Sequence, residues 1–179
     1  MKKMKFAVLA MAMVAFVACN KQTNASTISK TESTETTEVQ SSAPEINMTT
    51  ADGQTVKLSD MKGKLVYIDI WATWCPPCNA EIPHLKALYE HYKDNENVEI
   101  ISISVDEDVD AWKQKIVAKE MTWKQFICIG DDAMALSENY NLRSIPRFLI
   151  INKDGKLVDD NAPRPSSSNI VEVIDNYLK

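Results

Sequence analysis

Positive charge, metal-ligand pairs and membrane-length apolar runs are all scarce in this 179-residue chain, and each scarcity narrows what it can do. Its 25 acidic residues outnumber its 20 basic ones, for a formal charge of −5, and no basic stripe is evident; a nucleic-acid partner is therefore not expected. Only four cysteines and two histidines are present. Cys75 and Cys78 make one close pair, Cys19 and Cys128 stand alone, and His84 and His91 fall in one helical stretch after the pair. The second ligand pair that a structural zinc site needs is missing, and no metal or cofactor is expected. The apolar run over residues 6–17 is too short to span a bilayer as a mature helix.

What that run does have is a basic preface, Lys2, Lys3 and Lys5, so residues 1–18 read as an export signal. The run ends Phe16-Val17-Ala18-Cys19, which resembles a bacterial lipobox, in which the cysteine is lipidated and becomes the new N-terminus. Diacylation at Cys19 would give a stable anchor facing the periplasm, on the inner or the outer membrane. The alternative is a plain signal peptide with Cys19 a bystander. Residues 19–43 follow as a Thr/Ser/Glu-rich tether that carries too few large apolar side chains to repay ordering. As a flexible chain it would hold a domain about 25–30 Å from the anchor. Residues 44–179 remain, the size of one domain.

Within that domain, Trp74-Cys75-Pro76-Pro77-Cys78 lies between a strand-like run, Leu65-Val66-Tyr67-Ile68-Asp69-Ile70-Trp71, and a helix-like stretch. Two cysteines separated by two residues can close a small disulfide ring and reopen it by thiol exchange. At a helix N-terminus the first thiol gains from unpaired backbone N–H groups and the positive end of the dipole. Half of a zinc site and a purely structural disulfide are the other readings of a lone CxxC. The strand-before, helix-after context favours redox chemistry. An extracytoplasmic address makes such chemistry meaningful, since disulfides persist there.

Period and punctuation lay out the rest. Residues 46–49 and 55–58 flank Ala51-Asp52-Gly53 as a short hairpin. Residues 64–70 and 98–105 read as buried strands, and 126–129 as a short one. Helical spacing covers residues 79–92, 110–119, 133–140 and 168–178, the last with serine capping candidates. Residues 147–152 and 156–158 make a closing hairpin around Lys153-Asp154-Gly155. Alternating strands and helices imply an α/β fold, with helices on both faces of a mixed central sheet and the two long strands parallel.

Strand, WCPPC, helix, then Ser144-Ile145-Pro146, a hairpin and a final helix resemble the thioredoxin fold. More closely, residues 71–83, Trp71 through Pro83, are similar to the TlpA/ResA-like exported thioredoxins, a likeness that extends over about residues 44–179. That resemblance implies an N-terminal β-hairpin and an inserted βα element, placed at residues 110–129. It implies an extracytoplasmic thiol–disulfide oxidoreductase that reduces exported proteins such as apocytochrome c and is itself recharged by a membrane electron donor.

Cys75 is then the attacking thiolate, expected to be exposed, and Cys78 the shielded resolving thiol of a redox-active disulfide. Asp69 matches the buried acid of thioredoxins that moves a proton on or off the resolving thiol; a solvent-facing Asp is the alternative. Glu81 also matches a family position and either tunes a thiol or is an ordinary first-turn acid. Pro83 is expected to kink its helix. Pro146 matches the fold's cis-proline, which leaves the main chain of Ile145 free to pair with substrate. Trp74 would be an apolar platform, and Pro76 and Pro77 lie beside it at the contact surface. Neither proline has an N–H to offer the Cys75 thiolate, which points to a reductant. Trp71 and Cys128 are expected in the core. Arg143 and Arg147 select acidic surfaces or are merely solvated, and residues 161–165 form a rigid loop of no assigned role.

Other classes remain. A thiol oxidant or isomerase differs only in potential. Related redoxins that are peroxidases place a threonine three residues before the reactive cysteine, where this chain has Ala72. A binding lipoprotein is the other class, one that holds copper or that holds a partner through its groove; copper transfer proteins of this fold use a histidine near the C-terminal loops, and both histidines lie elsewhere.

Overall fold

The computed structural model describes residues 42–179. The leader at 1–18, Cys19 and all but the end of the 19–43 tether lie outside the described residues. Strands β1 (Asn47–Thr50) and β2 (Thr55–Lys57) form the first hairpin, with Asn47 opposite Lys57. Gly53 sits in its turn at φ +86°, a left-handed conformation that a side chain would disfavour. A 3₁₀ turn over Leu58–Met61 leads to β3 (Leu65–Trp71), buried at all seven positions. Then follow α1 (Pro76–Tyr92), β4 (Val98–Ser104), α2 (Val109–Ala118), β5 (Lys124–Ile127) and α3 (Asp131–Asn139). The chain closes with β6 (Arg147–Ile151), β7 (Leu157–Asp159) and α4 (Ile170–Leu178).

All seven strands join one sheet in the order β2-β1-β5-β4-β3-β6-β7. β3, β4 and β5 are mutually parallel, and β1 and β6 add antiparallel on either side. The fold is thioredoxin-like, a mixed sheet with helices on both faces. The first hairpin extends the central sheet through β5 instead of standing apart, and residues 110–129 supply α2 and β5.

Alternation along β3 sorts the two cores. Leu65, Tyr67 and Trp71 face a layer that holds Leu85 and Tyr92 of α1, Trp112 of α2 and Ile174 of α4. Val66, Ile68 and Ile70 face the other, with Met61 of the 3₁₀ turn and Leu136 of α3. Each such large side chain, fully buried, contributes about 1.5–3 kcal/mol. Asp69 shares its face with Tyr67 and Trp71, and therefore with Cys75 and Cys78 in the first layer.

Several boundaries move for physical reasons. α1 begins three residues before the expected 79, because prolines at the first helical positions lose only N–H groups that would be unpaired anyway. It then runs across Pro83 to Tyr92. β5 stops at Ile127, so Cys128 lies just past its strand, its N–H donated to Ser104 O at 2.9 Å. The serine caps expected for α4 are not used: the helix starts at Ile170 after Asn169, which makes no side-chain capping bond. Among the described residues no helix is long and apolar enough to cross a membrane.

Candidate active site

β3 ends in the core and the chain turns at once into α1, placing Cys75 at the N-cap and Cys78 one turn in. The two sulfurs are joined in a disulfide, Cα atoms 5.3 Å apart. Pro76 and Pro77 hold the first two helical positions, so the first N–H the helix offers is that of Cys78, which donates to Cys75 Sγ at 3.2 Å. Cys78 is buried, as expected. Cys75 is not exposed, as the sequence had suggested, but only 3% accessible. Bonded to Cys78, its sulfur turns into the first core layer, and Trp74 takes the surface at 67% exposure.

A polar buckle fixes this turn. Asp106, just after β4, is buried and accepts from Thr73 N–H at 2.9 and 3.1 Å, from Thr73 Oγ1 at 2.7 Å and from Ser104 Oγ at 2.6 Å. Asn79 Nδ2 donates to Thr73 O at 3.0 Å and Cys75 O at 2.8 Å, joining the first turn of α1 to the same segment. Sequence reasoning missed all of these residues. The signal available was Asp106 directly beyond the carboxyl end of a parallel strand, where sites of α/β sheets gather.

Asp69 is buried on β3, so its solvent-facing alternative falls away. Its register partner on β4 is Ser102, whose Oγ donates to Asp69 Oδ2 at 2.9 Å. Trp123 Nε1 donates in turn to Ser102 Oγ at 2.9 Å. Loss of hydration pushes the Asp69 carboxyl up to about 7; the serine bond opposes that rise and the negative charge of Glu81 adds to it.

Of the two readings of Glu81, the ordinary first-turn acid falls away. It is buried, and its carboxylate accepts from Ser166 N–H at 3.0 Å and Ser166 Oγ at 2.9 Å, with Arg164 at 3.6 Å. It ties α1 to the loop before α4, which Tyr67 also grips by donating its hydroxyl to Pro163 O at 2.7 Å. The 161–165 loop thus has a structural role that its sequence did not announce.

Ile145–Pro146 is a cis peptide bond, as the resemblance implied, and Ile145 packs against both core layers. Arg147 is engaged within the protein: it donates from Nε to Asp160 O at 2.6 Å and pairs with the Asp160 carboxylate at 3.7 Å. Arg143 is exposed and bonds Asn141 Oδ1 at 2.8 Å. Trp71 is in the core as expected. So is Cys128, a free thiol whose burial pushes its pKa up to about 12 and whose Sγ donates to Asn47 O at 3.3 Å. His84 and His91 are exposed on α1, and among the described residues no group of His, Cys, Asp and Glu is arranged to hold a metal ion.

The family described as Redoxin matches residues 38–175. The chain is similar to the thiol-disulfide oxidoreductase ResA of Bacillus thuringiensis subsp. konkukian, 31% identical over 142 residues that cover 79% of this chain and 78% of that protein. A crystal structure of a candidate thiol-disulfide oxidoreductase from Bacteroides vulgatus superposes with a TM-score of 0.71 at 35% identity, over 77% of this chain and 95% of that one. A thiol:disulfide interchange protein from Bacteroides sp. gives 0.69 at 31% identity, over 76% and 90%.

Proposed function

The chain belongs to the redoxin family, among its TlpA/ResA-like thiol–disulfide oxidoreductases, and from that premise we propose that it is a lipid-anchored, extracytoplasmic reductant of protein disulfides. The observation that carries this reading is the disulfide between Cys75 at the N-cap and Cys78 one turn in, on a turn pinned by Asp106.

Exchange proceeds in two displacements. Reduced Cys75 attacks a substrate disulfide: its Sγ bonds one substrate sulfur, and the other leaves as a thiolate and takes up a proton. Cys78 then passes its proton to the Asp69 carboxylate and attacks Cys75 Sγ. The Cys75–Cys78 bond forms, the mixed disulfide breaks, and two electrons have gone to the substrate. Asp69 suits this transfer because a buried carboxyl near pH 7 both accepts and releases a proton at working pH. Exposed Trp74, Pro76 and Pro77 form the surface a substrate meets, and the main chain at Ile145, before cis-Pro146, pairs with an extended substrate segment. A membrane donor of electrons restores the dithiol, and the substrates are exported thiol proteins, apocytochrome c among them.

The direction rests on the two prolines. In the disulfide Cys78 N–H donates to Cys75 Sγ, the one backbone bond this turn would offer a thiolate there, while positions 76 and 77 offer none. A less stabilised thiolate makes a less stabilised reduced form, hence a lower potential. Export and anchoring rest on Lys2, Lys3 and Lys5, the apolar run and Cys19. The test is the reduction potential of the pair, equilibrated in glutathione buffers and read by tryptophan fluorescence. A value near or below about −220 mV supports the reductant, one nearer about −120 mV makes it an oxidant, and no two-electron transition removes the exchange reading altogether.

A further inference from the structure

β4 carries Glu99 near its start, paired with Lys64 and Lys124, and on the opposite face Ser102 and Ser104 interrupt the apolar run, both fully buried. Ser104 is accounted for by the Asp106 buckle. Ser102 is not, and a hydroxyl sealed in a core costs free energy unless both its functions are used. Here they are used in a fixed direction. An indole N–H can only donate, so Trp123 Nε1 occupies a lone pair of Ser102 Oγ. The single O–H of the serine is left to point at Asp69 Oδ2.

We infer that Ser102 and Trp123 are positioning residues for the proton-carrying carboxyl: the Trp123–Ser102 bond locks the serine hydroxyl as a standing donor to Asp69 Oδ2, so that the exchangeable proton of Asp69 is confined to Oδ1. This rests on the reading of Asp69 as the proton carrier. An oxygen that already accepts a hydrogen bond is the poorer base of the two, and protonating it would turn the serine donor away. Among the described residues the other carboxyl oxygen makes no hydrogen bond to the protein. The relay therefore selects the oxygen that exchanges with Cys78, and it holds the carboxylate form against desolvation.

The groups that face this carboxyl are few. From α1 come Glu81, whose charge disfavours ionisation, and the Cys75–Cys78 pair; from β3 comes Tyr67, a neutral phenol whose hydroxyl is committed to Pro163 O. The cross-strand neighbours on β4 and β6, Ser102 and Phe148, carry no charge. Arg164 is paired with Glu81. Among the described residues no positive group stands against Asp69 itself, which leaves the serine as its one stabilising partner there.

The test follows the Asp69 carboxyl carbon by NMR in the reduced full chain, from roughly pH 4 to pH 10, with its resonance assigned by loss in Asp69→Asn. The pH profile of glutathione disulfide reduction is recorded alongside. Ser102→Ala is expected to raise the carboxyl midpoint by about one to two pH units and to slow reduction about tenfold or more on the acid side, the effect of removing a hydrogen bond to a charged group. Trp123→Phe keeps the ring and the serine but frees the hydroxyl to rotate; a rise of about half a unit and a roughly threefold loss are expected. In the Asp69→Asn background Ser102→Ala should leave the rate profile unmoved, which a general loosening of the core would not do. Midpoints unchanged in both single variants overturn the relay. A rate profile that keeps its acid limb in Asp69→Asn overturns instead the proton-carrier reading, and the midpoints still decide the relay.

Discussion

Asp69 and Asp106 are buried to the same degree, 2% exposed each, near the carboxyl ends of adjacent parallel strands, yet they are built for opposite tasks. Asp106 receives hydrogen bonds from three donor groups, two on Thr73 and one on Ser104. Asp69 receives one among the described residues, from Ser102. Burial alone disfavours a carboxylate; the number of donors decides whether the protein repays that cost. A carboxylate held by three donors is a pin that fixes the turn before Cys75. One held by a single donor stays close to the balance between its two protonation states, which is what a proton carrier requires.

The comparison breaks most visibly at the pin. Asp106→Ala leaves Thr73 N–H, Thr73 Oγ1 and Ser104 Oγ without their acceptor inside the protein, and is expected to cost about 3–5 kcal/mol in urea unfolding. Exchange should slow as the Trp74–Cys75 turn loosens, with the acid limb of the pH profile where it was. A cost below about 1 kcal/mol would mean the buckle is ornamental.

At Asp69 the sign reverses. Between about pH 4, where an unfolded Asp ionises, and about pH 7, where the folded one does, the folded chain holds a proton that the unfolded chain has lost. Stability contributed by this group is therefore full below the lower value and falls as pH rises through that window. Asp69→Asn removes the titration and should gain about 2–4 kcal/mol at neutral pH and little at pH 4, while it slows resolution by Cys78. Thermal or urea unfolding at the two pH values checks it, and a variant that is less stable at pH 7 sinks the assignment.

The sequence announced one member of this pair and not the other, for a physical reason. A carboxyl inside Leu65-Val66-Tyr67-Ile68-Asp69-Ile70-Trp71 violates the strand's own apolar pattern, so Asp69 stands out. Asp106 sits where chains leave a sheet, in a run of acids with Glu107 and Asp108, and nothing local distinguishes a buried pin from solvated charge. The same limit hid Ser166 and Arg164, which meet Glu81 across 85 and 83 positions of sequence. Local chemistry was legible: the WCPPC turn, the missing N–H groups of Pro76 and Pro77, the cis bond at Pro146. The accessibility of Cys75 was not, because it depends on where the disulfide folds its sulfur, and neither was the relay through Trp123, which needs the β4–β5 pairing before it exists.

Glu81 acts on Asp69 at the finest grain, since among the described residues it is the charge that shifts that carboxyl. Its carboxylate has two jobs, holding the loop through Ser166 and Arg164 and setting the field at the proton carrier. Glu81→Gln keeps an oxygen for Ser166 but removes the negative charge, so the two jobs separate. Without that charge the Asp69 carboxylate is easier to form, and its midpoint should fall by about half a unit to one unit. The acid limb of glutathione disulfide reduction then moves to lower pH, the direction opposite to that expected for Ser102→Ala. Stability should drop by about 1 kcal/mol or less, because the lost pair with Arg164 is half in water and long at 3.6 Å. A limb that stays in place while stability falls would make Glu81 a clasp for the loop and nothing more, leaving the balance at Asp69 to desolvation and one serine.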